Sequence, residues 1–346
     1  MSDRLQVVAE KIFINEHGEL RSVFRVIAFI LAFILAAILV QVLLEVFATL
    51  LPPLRNLLRP PDQAEGVRPR VFLYYILGQM TNLAAALIAS ALCARLLERR
   101  SLASVGYKLH RGWVRDFALG SVLGAGSLAL AVGIAAAAGA VSFTGHSPDA
   151  WFLARAFAVL FVFFLLAAAV EELLFRGFPF QALIHNAGPF VAIAVTSILF
   201  GTAHIANANA SLFSTINTML AGVWLGIAYL MTRSLWLATA LHYAWNLTMA
   251  FVFGLPVSGG NLFSQLSWLK GQDGPPEWLS GGGYGPEGGA AVTLVLVLST
   301  LAIWKSGLFA PREEMLAALK HGGREPRFIS PAAEPKEIGD EEAQGG

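Results

Sequence analysis

Residues 151–176 have the sequence WFLARAFAVLFVFFLLAAAVEELLFR. The apolar part of this stretch has the length, about 20 residues, that a helix needs to cross a lipid bilayer. Two adjacent carboxylates, Glu171 and Glu172, and the guanidinium of Arg176 close it. Ionisable side chains at bilayer depth are costly and usually face a partner or a cavity. The stretch therefore predicts a membrane helix with a functional site near its end.

The composition of the chain is that of a polytopic membrane protein. Of its 346 residues, 56% are hydrophobic and 14% are charged, against about 25% charged residues in soluble domains. The formal net charge of +1 gives no indication of a nucleic-acid partner, and none is expected. The single cysteine, Cys93, excludes an internal disulfide and a metal site built from cysteines. The first apolar run begins near Val23 and is too long for a removable signal peptide, so a retained first span is predicted.

The predicted fold is all-α, with about eight transmembrane helices in one bundle. The predicted spans are 23–51, 71–94, 117–141, 151–170 with an extension to 184, 189–204, 212–231, 235–253 and 291–303. They divide the chain into a cytoplasmic N-terminal segment (1–22), helices one to three (23–142), helices four to seven (151–253), an external loop rich in Gly and Pro (254–289), helix eight (290–307) and a disordered cytoplasmic tail (308–346). Trp268, Trp278 and Tyr284 predict that the external loop contacts the membrane interface and caps the bundle.

Lysine and arginine collect at one end of the predicted bundle. The loop after the second span carries Arg95, Arg99, Arg100, Lys108, Arg111 and Arg115. Because short cytoplasmic loops are enriched in these residues, both termini are predicted to lie in the cytoplasm. The loop between the first two spans opposes this orientation, since it would place Arg55, Arg59, Arg68 and Arg70 outside.

The charged residues at the end of the fourth span have different predicted faces. Residues four apart lie on one face of a helix, so Glu172 and Arg176 are expected to form an ion pair that supports the structure. Glu171 points about 100° away from Glu172 and is left for chemistry.

Two later spans supply polar partners at the same four-residue spacing. Phe200 and His204 stand on the fifth span, and His242 and Asn246 stand on the seventh. A carboxylate and an imidazole can deprotonate a water, or bind a metal that does so. An imidazole beside a carboxamide can donate hydrogen bonds to a developing oxyanion. Hydrolysis of a peptide bond by an activated water is the reaction that suits this set.

Other hydrolytic sites have less support in the sequence. No Gly-x-Ser-x-Gly turn indicates a serine nucleophile, and no His-Glu-x-x-His helix indicates a zinc site. A metal dependence stays open: a divalent ion such as zinc would be held by Glu171, His204 and His242.

The three motifs together resemble the CPBP family, also called the CAAX protease, bacteriocin-processing or Abi family. Glu-Glu-x-x-x-Arg (171–176), Phe-x-x-x-His (200–204) and His-x-x-x-Asn (242–246) occur in this order on separate spans. The resemblance covers roughly residues 151–253 and implies that this segment is the catalytic core. It implies an intramembrane protease, of the glutamate or the metallo type, whose eukaryotic members cleave the last three residues from prenylated CaaX proteins.

Roles for single residues follow from the same resemblance. Glu171 and His204 would activate the water, and His242 and Asn246 would stabilise the oxyanion. Glu172, Arg176 and Phe200 would support the site. The expected partners are membrane lipid and a membrane-associated protein or peptide substrate, and the expected location is a bacterial inner membrane.

Two alternatives from other functional classes remain at this stage. A proton-coupled transporter would use the same residues as a relay across the membrane, and a scaffold or immunity protein would keep them for packing. In the third span, Gly120, Gly124 and Gly126 are predicted to permit close helix approach rather than to bind a ligand.

Overall fold

The computed structural model describes residues 12–15, 19–62, 68–145 and 147–320 and is largely helical. Its α-helices are α1 (Ser22–Leu50), α2 (Pro52–Leu58), α3 (Pro69–Glu98), α4 (Trp113–Ala137), α5 (Ala150–Arg176), α6 (Phe178–Ala187), α7 (Pro189–Ala203), α8 (Leu212–Thr232), α9 (Leu235–Leu247), α10 (Glu277–Ser280), α11 (Ala290–Lys305) and α12 (Glu313–Leu319). Strands β1 (Val141–Thr144) and β2 (Lys270–Asp273) pair in an antiparallel sheet. Most of the predicted N-terminal segment (1–22) lies outside the described residues.

The helices confirm an all-α, polytopic membrane protein. Within the described ranges, five stretches are long and apolar enough to cross a membrane: α1, α3, α4, the pair α5–α6 and α8. The shorter apolar helices α7 and α11, together with α9, lie where the other three spans were predicted. Many large apolar side chains of α1 face outward, including Leu35 and Leu50. Lipid contact accounts for such an apolar exterior, and the chain is an integral membrane protein.

The predicted break at 177–179 separates α5 from α6. Helix α5 ends at Arg176, and α6 begins at Phe178 with Pro179 in its first turn. A Cβ atom on Gly177 would lie 2.4 Å from the carbonyl oxygen of Leu173, so a larger residue cannot occupy this bend without a shift. The break places both glutamates in the last turns of α5.

Helix α9 forms much of the interior of the bundle. Nearly all of its residues are buried, and it packs against both α4 and α5. Small residues of α4 allow the approach: a Cβ atom on Gly124 would lie 2.3 Å from the carbonyl oxygen of Leu241, and one on Gly120 would lie 2.7 Å from the Cβ of Ala240. The predicted role in close packing is therefore confirmed for these two glycines. It is wrong for Gly126, because an added Cβ there would meet nothing within 4 Å.

The α4–α9 contact leads to a test with an internal control. Gly124→Ala is expected to destabilise the protein by about 1–3 kcal/mol, because the new methyl group would meet backbone atoms of α9. Gly126→Ala, two residues along the same helix, is expected to be neutral or slightly stabilising because alanine favours helix. Denaturant unfolding of both purified variants in detergent measures the difference. Equal stabilities for the two variants would contradict the close approach.

A buried charge network joins the beginning of α1 to the end of α3. Arg25 is fully buried and pairs with Glu98 at 3.0 Å and with Glu19 at 3.1 Å. Arg100 also contacts Glu98 and donates a hydrogen bond to Gln181 of α6 at 3.1 Å. Burial lowers the pKa of Arg100 to about 10, so its guanidinium remains charged at neutral pH. The sequence analysis used Arg100 only as a signal of topology and did not single out Arg25.

The loop between α9 and α11 contains regular structure that the sequence analysis did not predict. It contains β2, which pairs with β1 so that Val141 lies opposite Asp273. Trp268 and Trp278 are exposed, as contact with a membrane interface requires, but Tyr284 is 2% exposed and faces the protein. Burial and then the neighbouring Glu287 carboxylate raise the pKa of the Tyr284 phenol. The loop therefore belongs to the folded body of the protein.

The predicted disorder of the tail is wrong at its beginning. Helix α12 (Glu313–Leu319) buries Met315 and Leu319. The side chain of Glu314 accepts a hydrogen bond from the backbone N–H of Arg111 at 2.8 Å. This contact fixes α12 to the loop that precedes α4. Residues 321–346 lie outside the part of the chain that the structure describes, so disorder there stays a prediction.

Candidate active site

The two glutamates of α5 face different surroundings, as their spacing predicted. Glu172 is fully buried, whereas about a third of the Glu171 side chain is exposed. Glu171 borders a cavity of about 680 Å³. The pair is therefore divided into one internal carboxylate and one that faces open space.

Glu172 forms the predicted ion pair with Arg176. Its Oε1 accepts a hydrogen bond from Arg176 Nη1 at 3.1 Å, and both side chains are fully buried. Arg176 Nη2 also donates to the carbonyl oxygen of Gly222 on α8 at 3.1 Å. The guanidinium carbon lies 4.4 Å from the centroid of the Phe200 ring, a cation–π distance. Phe200 thus supports the buried arginine, a contact that the sequence motif alone did not indicate.

Glu172 has a second partner that the sequence did not reveal. His242 Nδ1 on α9 donates to Glu172 Oε1 at 2.9 Å, because an ionised carboxylate can only accept. The two residues stand 70 positions apart, so no local spacing signals their contact. Glu172 therefore holds the imidazole of His242 in place as well as balancing Arg176.

His204 is oriented by the carbonyl of its own motif. It is the residue that caps the C-terminus of α7, and its Nδ1 lies 2.7 Å from the carbonyl oxygen of Phe200. Since a carbonyl only accepts, Nδ1 carries the hydrogen, and Nε2 of the neutral ring has a free lone pair. This Nε2 faces Glu171.

The three side chains converge on one carboxylate oxygen. Glu171 Oε2 lies 4.0 Å from His204 Nε2 and 3.8 Å from His242 Nε2. The oxygen is buried, and it has no hydrogen-bond partner among the described residues. A separation of this size is too long for a direct hydrogen bond and fits a bridge through one water. The structure thus brings Glu171, His204 and His242 together around one point.

The large cavity also reaches Asn246, one turn after His242 on α9. All four residues that were predicted as catalytic therefore line one space, although their roles stay predictions. Phenylalanines form much of the remaining wall: Phe163, Phe164, Phe175 and Phe263. Gln79 of α3 and Ser258 of the loop after α9 add polar groups. Sequence reasoning missed these two, because neither belongs to a motif.

The donor atoms around Glu171 lie farther apart than the ligands of a zinc ion. Two ligands of a tetrahedral zinc ion at ordinary bond lengths are separated by about 3.4 Å, whereas the histidine nitrogens lie 3.8 and 4.0 Å from Glu171 Oε2. In the described ranges, no three His, Cys, Asp or Glu side chains are grouped so that they could hold a metal ion. The donor atoms have suitable chemistry but do not form a ready site, and metal dependence stays a prediction.

The fold and the site together define an integral membrane protein with a carboxylate–histidine centre between its helices. Residues 151–248 match the family model described as type II CAAX prenyl endopeptidase Rce1-like. The predicted family is therefore confirmed for this segment, which contains all three motifs, and the match supports a CAAX-type protease in general. Comparisons with curated proteins and with solved structures found no match.

Proposed function

We propose that this protein is an intramembrane endopeptidase that hydrolyses a peptide bond of a membrane-associated protein or peptide. The observation that carries the proposal is the buried Oε2 of Glu171, which has no hydrogen-bond partner in the described part of the chain. It lies between two histidine nitrogens at the edge of a cavity of about 680 Å³. A protease family implies such a substrate and a membrane setting.

Glu171 and His204 are proposed to activate the water. Both Glu171 Oε2 and the His204 Nε2 lone pair can accept a proton, and a water between them can be oriented by both. As the water oxygen attacks the peptide carbonyl, its proton passes to one of these groups. The same group then donates the proton to the leaving amine as the C–N bond breaks.

His242 and Asn246 are proposed to stabilise the oxyanion. Because His242 Nδ1 donates to Glu172, its Nε2 carries a hydrogen only when the ring is an imidazolium. The neighbouring carboxylates of Glu171 and Glu172 stabilise this charged form. An imidazolium Nε2–H and the amide of Asn246 would then face the carbonyl oxygen from the same helix.

The proposed mechanism uses no metal step. A metal-dependent alternative would use Glu171, His204 and His242 as ligands, and elemental analysis of the purified protein measures this directly. We also propose a bacterial inner membrane as its location. The distribution of lysine and arginine supports an orientation with both termini in the cytoplasm.

The cavity wall supports a substrate with a large apolar group. The phenylalanines next to Glu171 present apolar surface to the cavity, which suits a lipidated or strongly apolar peptide. The description of the matching family names prenylated CAAX sequences, so a farnesylated C-terminal peptide is the first probe. Membrane proteomics of cells with the wild-type protein and with Glu171→Gln would show which natural protein accumulates uncut.

Asn246→Ala tests the oxyanion role. Loss of one oxyanion donor is expected to lower kcat about 100-fold with little change in KM, because the bond strengthens only in the transition state. Steady-state kinetics of the purified protein with a quenched farnesylated peptide give both constants. A variant that keeps its wild-type kcat would remove Asn246 from the mechanism. If the wild-type protein cut no peptide in any lipid, that result would favour the transporter and scaffold alternatives.

A further inference from the structure

A segment outside the motifs closes part of the catalytic cavity. Residues 255–263, here called the roof, follow α9, and five of them line the cavity with Glu171: Val257, Ser258, Gly259, Gly260 and Phe263. The roof lies beyond residues 151–248, which match the family model. The wall of the cavity is therefore built partly by chain that the family motifs do not describe.

One carboxylate ties the roof to the helix that carries His242. Glu287 Oε2 accepts hydrogen bonds from Ser258 N at 2.7 Å and from Ser258 Oγ at 2.8 Å. Its other oxygen, Oε1, accepts from Trp245 Nε1 at 3.3 Å. Trp245 directly precedes Asn246 on α9. Glu287 thus connects the roof and the predicted oxyanion donors through a single side chain.

Glu287 is itself held in place from a third direction. Asn217 of α8 donates to the backbone carbonyl oxygens of Glu287 at 2.9 Å and Gly289 at 3.0 Å. Thr293 of α11 donates to Asn217 Oδ1 at 2.7 Å. Asn217 is 1% exposed, so this anchor is internal. Because the backbone of Glu287 is fixed, its carboxylate can hold the roof in place instead of moving with it.

Packing also holds the roof at its middle and at its C-terminal end. Gly259 has a φ of +84°, and a Cβ atom there would lie 2.0 Å from the carbonyl oxygen of Ala208, in the loop after α7. Phe263 stacks on Phe163 of α5 with ring centroids 4.2 Å apart. Backbone bonds add to these contacts, since Gly259 N–H donates to the carbonyl oxygen of Tyr284 at 2.8 Å. The Ser258–Glu287 bonds are the side-chain link that reaches α9 through Trp245.

A second, smaller space lies behind the site. This cavity of about 30 Å³ is lined by His204, His242, Asn246, Ser258 and Glu287 among others. Its volume is sufficient for about one or two waters. The first four of these residues also line the large cavity, so they form the partition between the two spaces. Displacement of Ser258 would merge them and change the wall that a substrate meets.

We propose that Glu287 is a positioning residue that clamps the roof to α9 and so sets the shape of the substrate cavity. The proposal rests on the proposed function for its kinetic consequence, but the clamp itself can be measured without any activity. Glu287 touches no reacting atom, so its loss should weaken substrate binding more than it slows the chemical step.

The test compares two glutamates of the same loop in the full-length protein in nanodiscs. Glu287→Gln keeps the size of the side chain, but its NH2 group cannot accept, so either the Ser258 bonds or the Trp245 bond is lost and the link between the roof and α9 is broken. It is expected to raise KM for the quenched farnesylated peptide about tenfold, with kcat within about twofold. Hydrogen–deuterium exchange at residues 255–263 should become at least about tenfold faster. Glu277→Gln changes an exposed residue of α10 and should leave both measurements at their wild-type values.

Each outcome decides for or against the clamp. Ser258→Ala, which removes the Oγ bond and keeps the N–H bond, should shift KM and exchange in the same direction by a smaller amount. The proposal would be overturned if Glu287→Gln showed wild-type hydrogen exchange at the roof. It would also be overturned if the variant lowered kcat alone, or if exchange became faster while KM stayed unchanged. If the wild-type protein cleaves no peptide, the proposed function fails, while the exchange measurement still decides whether Glu287 holds the roof.

Discussion

Glu171→Gln is expected to reduce peptide cleavage at least about 1,000-fold and to leave the fold intact. Glutamine has the size of glutamate but cannot accept the proton of the attacking water. Glu171 Oε2 makes no hydrogen bond within the described residues, so the substitution breaks no hydrogen bond of this atom. The measurements are kcat/KM on the quenched farnesylated peptide and the thermal unfolding temperature of the purified protein.

The control for Glu171 is another carboxylate within a membrane helix. Glu45 of α1 is exposed, and its side chain accepts from Gln41 at 2.8 Å. Glu45→Gln therefore removes a negative charge from a span without touching the cavity, and wild-type cleavage is expected. Near-normal cleavage by Glu171→Gln would show that this carboxylate is not the base and would end the proposed mechanism.

Arg176→Met is expected to cost about 3–5 kcal/mol of unfolding free energy, because it leaves the Glu172 charge buried without its ion-pair partner. It also removes the contact with the Phe200 ring and the bond to the carbonyl of Gly222. Denaturant unfolding in detergent, followed by circular dichroism, gives the difference. Cleavage should fall as well, since Glu172 also orients His242.

Two further variants separate the ion pair from general effects of the substitution. Arg155→Met changes an exposed arginine of the same helix and should alter stability by no more than about 0.5 kcal/mol. The double variant Glu172→Gln with Arg176→Met removes both charges and should recover much of the loss, because a neutral amide is less costly to bury. A double variant less stable than Arg176→Met would mean that the Glu172 charge is not what destabilises the single variant.

The fold was predictable because the membrane imposes simple rules on sequence. A bilayer demands apolar helices of a known length, so the spans near α1, α3, α4, α5 and α8 could be located from hydropathy. The shorter α9 was also placed at its correct start, Leu235. Outside the membrane, the bilayer sets neither the length nor the hydropathy of an element. Strands β1 and β2 and helix α12 were therefore missed. The strands have four residues each and α12 has seven, which is too short for a periodic pattern to be recognised.

The site was predictable within each helix but not between helices. The four-residue spacing of Glu172 and Arg176 indicated an ion pair, and the structure contains it. The bond from His242 to Glu172 depends on how α5 packs against α9, and no spacing within a helix encodes that. The same limit applies to Glu287, whose partners Ser258 and Trp245 are distant in sequence.

The roof has a consequence for how this protein can change. The chemistry proposed for the protein uses side chains on helices whose length and apolar character a bilayer dictates. Part of the cavity wall comes instead from residues 255–263, where no such restriction applies to length or polarity. Under the proposed function, substitutions or insertions in this loop are expected to change which peptides enter, while Glu171 and His204 stay unaltered. Selectivity and reactivity are separable here, and grafting the loop of a relative onto this chain is a direct way to redirect it.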